Sequence, residues 1–345
     1  MRVGRVIDGA DRAQRRWTVL GYPIGVIYKY FDDQGNYLAS IITYYAFIAI
    51  FPIMLLASSI LGFVLQGNPE LQEDVIDSAL AQFPIIGTQL NLPDGLEGSS
   101  SAIVLGALVA IYGALGLGQS VQNALNIAWA VPRNSRPNPF LLRLKSLLLL
   151  MTAGLAVLVV SALSILGSST EVFGPNLDAT IKWAIQIATV LLNGTVLTIL
   201  FRLGAARDHR IRYAAPGGFA TALMWLVLQY FGTLYVTQVL AKAGPVNQTF
   251  GLVLGLIGLI YFAAVMGVLG MEINVVLARR LWPRALLTPF TDNVDLTEAD
   301  RRAYVDYARA QRHKGFETIE ITFTETQKLR MLDAAVEDDG ADHAS

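Results

Sequence analysis

The chain contains no cysteine. Disulfides, iron–sulfur ligation, thiolate zinc sites and a cysteine nucleophile are therefore excluded. Histidine is nearly absent as well. His209, His313 and His343 stand far apart, so metal chemistry built on histidine clusters has no material. Charge is scarce: Asp, Glu, Lys and Arg make up 15% of 345 residues, where a soluble chain carries roughly 25%. GxxxxGK[ST], HExxH and GxSxG are all missing, so the usual signatures of phosphate-loop, zincin and serine-hydrolase chemistry are too. The net charge of −1 gives no global pull toward nucleic acid.

What is present is apolar. Hydrophobic residues are 54% of the chain and the mean hydropathy is +0.48. So little charge cannot cover that much apolar surface in water, which points to a polytopic membrane protein. Six windows free of Asp, Glu, Lys and Arg occur at 34–69, 98–132, 146–170, 183–201, 213–241 and 243–271. Each holds the ~20 apolar residues that a spanning helix needs. The uncharged run Trp17–Tyr28 is too short to span and has no small-residue cleavage site behind it. Its flanking Arg15, Arg16 and Lys29, with Trp17, Tyr22 and Tyr28, suit a segment lying in the headgroup layer.

Loop charge sets the orientation. The 66–101 loop has no lysine or arginine but carries Glu70, Glu73, Asp74, Asp77, Asp94 and Glu97. The next loop has Arg133, Arg136, Arg143 and Lys145 and no acid. The alternation continues without exception. Lys182 and Lys242 apart, every basic residue falls on one side, which the positive-inside rule makes cytoplasmic. The expected architecture is all-α. An N-terminal segment (1–33) precedes six spans near 38–65, 102–128, 146–167, 182–202, 214–240 and 250–278. A cytoplasmic tail (283–345) follows, and both termini lie inside.

Outside the spans, Asn68 and Pro69 suit the start of a short amphipathic helix over Pro69–Phe83. In the tail, Thr297 and Asp300 have capping-box spacing, and the helix they open is expected to run to Lys314, with Gly315 as its stop. Ile319, Ile321 and Phe323 alternate with polar residues, a strand pattern. The last residues are acidic and small, as in a disordered end.

Polar residues within apolar spans carry the functional signal, because an ionised group at mid-membrane costs roughly 2.5–3.5 kcal/mol. No span has a central charge, which argues against a transmembrane carboxylate relay or a charged ion path. Glu272 lies late in the sixth span, ~33 Å along the helix from Thr249 at ~1.5 Å per residue, at the cytoplasmic interface. It reads either as a snorkelling or ion-paired carboxylate or as one wall of an inward-facing polar pocket. No cation lies three or four places away, and Arg202 is the expected partner. Gln119, Asn123 and Asn126 share one face of the second span. They serve either as helix glue or as the lining for a polar headgroup. Thr43, Tyr44 and Tyr45 precede Pro52, which is the hinge candidate because proline removes a backbone donor and kinks a helix. Asn274 follows Glu272 on the polar list. Glycines of the second and sixth spans, including the Gly251/Gly255 GxxxG, fit close helix packing.

In order and spacing these patterns resemble the YihY/BrkB-type inner-membrane family over roughly residues 20–285. The resemblance rests on Tyr44-Tyr45-Ala46-Phe47 with Phe51-Pro52, on Asn123 through Asn126 to Trp129, and on Tyr235. Thr249-Phe250-Gly251 and Gly270-Met271-Glu272-Ile273-Asn274 complete it. Two positions depart from the family pattern. Ile260 stands where a tryptophan often precedes the residue matching Tyr261, and Met271 replaces the usual alanine. Neither touches a polar position. The resemblance implies an envelope role, including virulence or serum resistance and export of lipid-linked material. The family's old label of ribonuclease BN conflicts with the residues, since metal-dependent RNA hydrolysis needs clustered His and carboxylate ligands.

Three hypotheses follow: a transporter or flippase-like exporter of an amphiphilic envelope component, a membrane scaffold for an envelope machine, and a nuclease that lacks its metal cage. The first is the reading adopted, with Tyr44, Tyr45, Gln119, Asn123, Asn126, Arg202, Glu272 and Asn274 as the cavity set. No catalytic residue, metal or cofactor is expected. Membrane lipids, an amphiphilic substrate or an envelope-machinery protein are the expected partners, and nucleic acid is not.

Overall fold

The structure is a computed structural model and describes residues 11, 14–64, 100–168, 175–206, 210–242, 244–290 and 294–324. Eight helices are numbered here in chain order: α1 (Thr18–Asp32), α2 (Gly35–Val64), α3 (Ser100–Ala128), α4 (Pro139–Ser168), α5 (Pro175–Gly204), α6 (Ile211–Gln238), α7 (Pro245–Arg279) and α8 (Glu298–Ala310). No strand occurs among the described residues. The anticipated helix Pro69–Phe83 and the acidic end of the tail lie outside them.

Among the described residues, four stretches are long and apolar enough to cross a membrane: Pro139–Val160, Trp183–Gly204, Ile211–Lys242 and Phe250–Arg279. Helices α2 and α3 have 30 and 29 residues. At ~1.5 Å per residue each reaches about 45 Å, beyond the ~30 Å of a hydrocarbon core.

The chain forms two compact units, one gathering 1–29, 130–136 and 275–345, the other 30–129 and 137–274. In the second unit chain neighbours are mostly spatial neighbours: α2 packs on α3, α3 on α4, α4 on α5 and α5 on α6. Leu228, Val236 and Leu240 meet Leu256 and Leu259 of α7, and Phe47 and Ile50 of α2 pack against the same cluster. Small residues set the helix spacing. A Cβ on Gly217 would fall 1.9 Å from the Gly270 carbonyl oxygen, and one on Gly113 would fall 2.9 Å from the Ala49 Cα. The GxxxG pair straddles Tyr235: a Cβ on Gly255 would meet its ring at 2.5 Å, and the Tyr235 hydroxyl donates to the Gly251 carbonyl at 2.9 Å. The close-packing reading of these glycines is the observed one. Gly258 and Gly267, by contrast, have open space where a Cβ would stand.

The first unit is held by charge. The Arg284 Nε lies 2.5 Å from Asp300 Oδ1, with both side chains fully buried. The guanidinium also faces the Tyr28 and Tyr304 rings, at 5.7 and 5.8 Å. The second Asp300 oxygen accepts from the Ala285 amide, the Thr297 amide and the Thr297 hydroxyl. The capping box expected at Thr297 is therefore present. Gln14 Nε2 donates to the Arg284 carbonyl, and Tyr28 Oη donates to the Leu286 carbonyl at 2.6 Å. Helix α1 lies so close to residues 281–282 that a Cβ on Gly25 would stand 2.9 Å from the Leu281 carbonyl oxygen. Its other face leaves Trp17, Val19, Leu20, Ile27 and Phe31 exposed.

Two details of the tail differ from expectation. Helix α8 stops at Ala310, not Lys314. The His313 and Lys314 amides donate instead to the Glu317 carboxylate, which turns the chain before Gly315. Residues 319–324 form no strand, since a single alternating segment has no ladder partner here.

Candidate functional site

Among the described residues, Glu272 is the most enclosed acidic side chain of the bundle unit, with 0% exposure. It sits on α7 seven residues before that helix ends at Arg279. Met271, Asn274 and Val268 around it are also buried. A helical carboxylate on this register lies on the same face as Val268 and Val275, four places before it and three after, so it is turned into the protein. The Tyr30 phenol is pushed up to about 12, first by burial and then by the electrostatic influence of Tyr261 and Glu272. It therefore stays protonated, and it donates to Asn36 Oδ1 at 2.8 Å. Tyr30 and Tyr261 thus join Glu272 in one electrostatic neighbourhood. Neither was among the candidates drawn from the sequence. A tyrosine just outside the first span reads as an interface anchor, and nothing in its spacing announces the carboxylate.

Arg202, the expected partner, is exposed, whereas Glu272 is fully enclosed. The three amides of α3 are also separated by their surroundings. Asn123 is exposed, Gln119 half-buried and Asn126 buried. Asn126 Oδ1 accepts from the Ala206 amide at 2.9 Å, just past the end of α5. Lys145 Nζ donates to the neighbouring Ala205 carbonyl at 3.1 Å, so α3 and α4 both grip the α5 terminus. The most buried amide of α3 is one the sequence reading passed over. Gln122 Nε2 donates to the Gly118 carbonyl, the Leu142 carbonyl and Ser146 Oγ at 3.1, 3.0 and 2.8 Å. The available signal was Gly118 four residues before it: a Cβ there would fall 2.5 Å from that of Ser146. A missing side chain marks the helix crossing that Gln122 spans.

Asn274 Oδ1 accepts from the Gly217 amide at 2.7 Å. Pro216, just before it in α6, has no amide hydrogen to offer. The Asn274 amide thus ties α7 to the proline-bearing turn of α6. On α2, the Tyr44 and Tyr45 rings meet edge to face at 5.2 Å, and Tyr45 reaches Tyr112 at 6.0 Å. Tyr44 is 56% exposed, while Tyr45 lies over Gly116. Helix α2 runs unbroken through the Pro52 position.

The polar set therefore divides in two. Asn126, Asn274 and Gln122 are spent on ties between helices. Glu272 lies in the neighbourhood of Tyr30 and Tyr261, while Tyr44, Gln119 and Asn123 stand in more open surroundings.

Comparison with known proteins agrees with the resemblance. In *Escherichia coli* K12, "Inner membrane protein YhjD" is 24% identical over 277 residues, covering 75% of this chain and 81% of that one. No solved structure matches the chain. The family model described as virulence factor BrkB matches residues 26–290, most of the sequence and all of the helices from α2 to α7. The chain belongs to the BrkB family.

Proposed function

We propose that this protein spans the cytoplasmic membrane six times with both termini inside, and that it moves an amphiphilic envelope component, a lipid or lipid-linked headgroup, between leaflets. It performs no covalent chemistry and takes no cofactor. Its partners are membrane lipids, the amphiphile and, at most, an envelope-assembly protein, not nucleic acid. The alternating basic and acidic loops support the topology, and the name of the *E. coli* relative supports the membrane.

One observation carries the transport reading: the enclosed Glu272 on an apolar helix, with Tyr30 and Tyr261 near it. An ionisable side chain inside such a helix is expensive, and a purely structural helix contact is made at lower cost by amides. The bundle has such amides already, in Gln122, Asn126 and Asn274. A carboxylate kept beside them suits a site that binds a cationic or hydroxyl-bearing headgroup, or that takes up and releases a proton as the headgroup passes. The same ties favour the scaffold as the second reading, because they fill the contacts that a moving bundle would have to break.

Glu272→Gln keeps size and removes charge, and Asn123→Leu alters an exposed amide. In a deletion-complementation test for envelope integrity, Glu272→Gln is expected to lose function at normal abundance and Asn123→Leu to weaken it. Full activity in both variants would defeat the transport reading and leave the scaffold.

A further inference from the structure

An arginine-lined groove lies in the first unit, apart from the residues discussed above. Arg279, Arg301, Arg302, Asp306 and Arg309, with Val305, enclose an open volume of about 420 Å³. Arg302, Val305, Asp306 and Arg309 recur at three, four and seven places on α8, so they share one helical face. Arg279 is the last residue of α7.

Four guanidinium groups face one carboxylate. A basic tail surface normally spreads its charges into water, where repulsion between them is screened. Here three of the four have a fixed contact, Arg301 lying over the Phe323 ring at 5.9 Å. Arg279 Nη1 meets Asp306 Oδ2 at 2.5 Å, and Arg302 Nη2 donates to the Arg280 carbonyl at 2.7 Å. One carboxylate offsets only part of this positive charge, and an anion in the groove would relieve the remaining repulsion. Arginine forks match phosphate oxygens in geometry as well as charge.

We infer that this groove binds a phosphate-bearing anion. Arg279 ends the apolar stretch Phe250–Arg279, so with α7 across the bilayer the groove opens at headgroup depth. The phosphodiester of an anionic lipid can reach it there, and so can a soluble phosphate compound from the cytoplasm. The groove is distinct from the Glu272 site, and its occupation does not depend on transport.

The test uses the full-length protein. In nanodiscs of mixed phosphatidylglycerol and phosphatidylcholine, native mass spectrometry reads which lipid stays bound. In detergent without lipid, calorimetry reads pyrophosphate binding. The wild type is expected to retain phosphatidylglycerol preferentially. Arg302→Gln/Arg309→Gln should lower that preference, by about fivefold per arginine. The charge-matched Arg133→Gln/Arg143→Gln, on residues outside the groove, should leave it unchanged. Because Arg302 is also tied to the Arg280 carbonyl, Arg309→Gln alone provides a check: about a fivefold loss at an unchanged melting temperature. Pyrophosphate binding that vanishes in the groove variants, without lipid selectivity, would support the groove and assign it to a soluble ligand. Equal losses in the two double variants, or no loss in the groove variants for either ligand, would overturn the inference.

Discussion

The two compact units are held together by opposite means. In the bundle, helices approach through glycine and are tied by neutral amides, as at Gly217 with Asn274 and Gly118 with Gln122. In the other unit, the ties are ionic: Arg284 with Asp300, Arg279 with Asp306, and Arg15 with Asp11. The difference follows from what each element faces before it packs. A helix that begins in hydrocarbon cannot bring a charge without a large cost, whereas small residues and amides bring little. A segment that begins in water carries its charges freely. It can bury a pair when several donors surround the carboxylate, as they do at Asp300.

The sharpest way to break the contrast is to break the buried ion pair. Asp300→Ala takes the carboxylate at its Nε away from the enclosed Arg284 and should cost about 3–5 kcal/mol. Limited proteolysis should then cut the tail and α1 well before the bundle melts. The double change Arg284→Met/Asp300→Leu should recover most of that loss, since it removes both charges. If Asp300→Ala leaves the tail as resistant as the wild type, charge does not hold this unit.

The bundle should respond to volume instead. Gly217→Ala puts a methyl group into the Gly270 carbonyl and the Asn274 amide, and backbone there cannot swing aside. A loss of about 1–3 kcal/mol is expected, read as a lower melting temperature in detergent. Gly258→Ala, which meets nothing within 4 Å, should be neutral. Equal tolerance of the two would mean that glycine is not setting the helix spacing.

A smaller effect is expected from Asn126→Ala. It frees the Ala206 amide but removes only one interhelical bond, worth about 0.6 kcal/mol on average. Thermal unfolding of the detergent-solubilised protein should fall slightly and envelope complementation should persist. Strong loss of function at full abundance would return Asn126 to the substrate-contacting set.

The smallest effect is a titration. Burial pushes the Tyr22 phenol up to about 12, beside Trp282 at 5.6 Å. The folded state thus holds this proton more tightly than the unfolded chain. The associated stability is fully present below pH ~10, the ordinary tyrosine value, and is lost as pH rises toward the folded value. The ultraviolet titration difference between wild type and Tyr22→Phe should show one tyrosinate step near the upper value. A difference step at the ordinary tyrosine value would mean that α1 is not packed on the segment after α7.

Much of the fold was legible because its signals are local. Charge-free windows mark the helices, and Thr297 with Asp300 marks the start of α8. The spacing of Gly251 and Gly255 pointed to close helix packing, though not to Tyr235 as the residue they receive. The site was less legible because its partners are remote. Gln119, Asn123 and Asn126 share a face, but a helix face spans surroundings that differ from turn to turn, so the three end up half-buried, exposed and buried. Gln122 looked unremarkable beside them, and only the opposing Ser146 gives it meaning. The pairing of Arg284 with Asp300 could not be foreseen, because arginine and aspartate in a polar tail ordinarily stay in solvent. Arg202 was paired with Glu272 on depth alone, and depth did not tell that one is exposed and the other enclosed.

The hydrogen bond from Gln14 to the Arg284 carbonyl joins positions 270 residues apart. The ribosome makes Gln14 near the start and Arg284 near the end. At about 5–20 residues per second, α1 waits roughly 15–50 s after its own synthesis before its dock exists. Throughout that interval its apolar face has nowhere in the chain to go, and the surface of a bilayer is the nearest shelter. The final closure of this unit therefore reports that translation has reached the tail. A chain truncated before Leu281 would lack the whole segment on which the N-terminal helix docks, and would leave that helix without its partner in the chain.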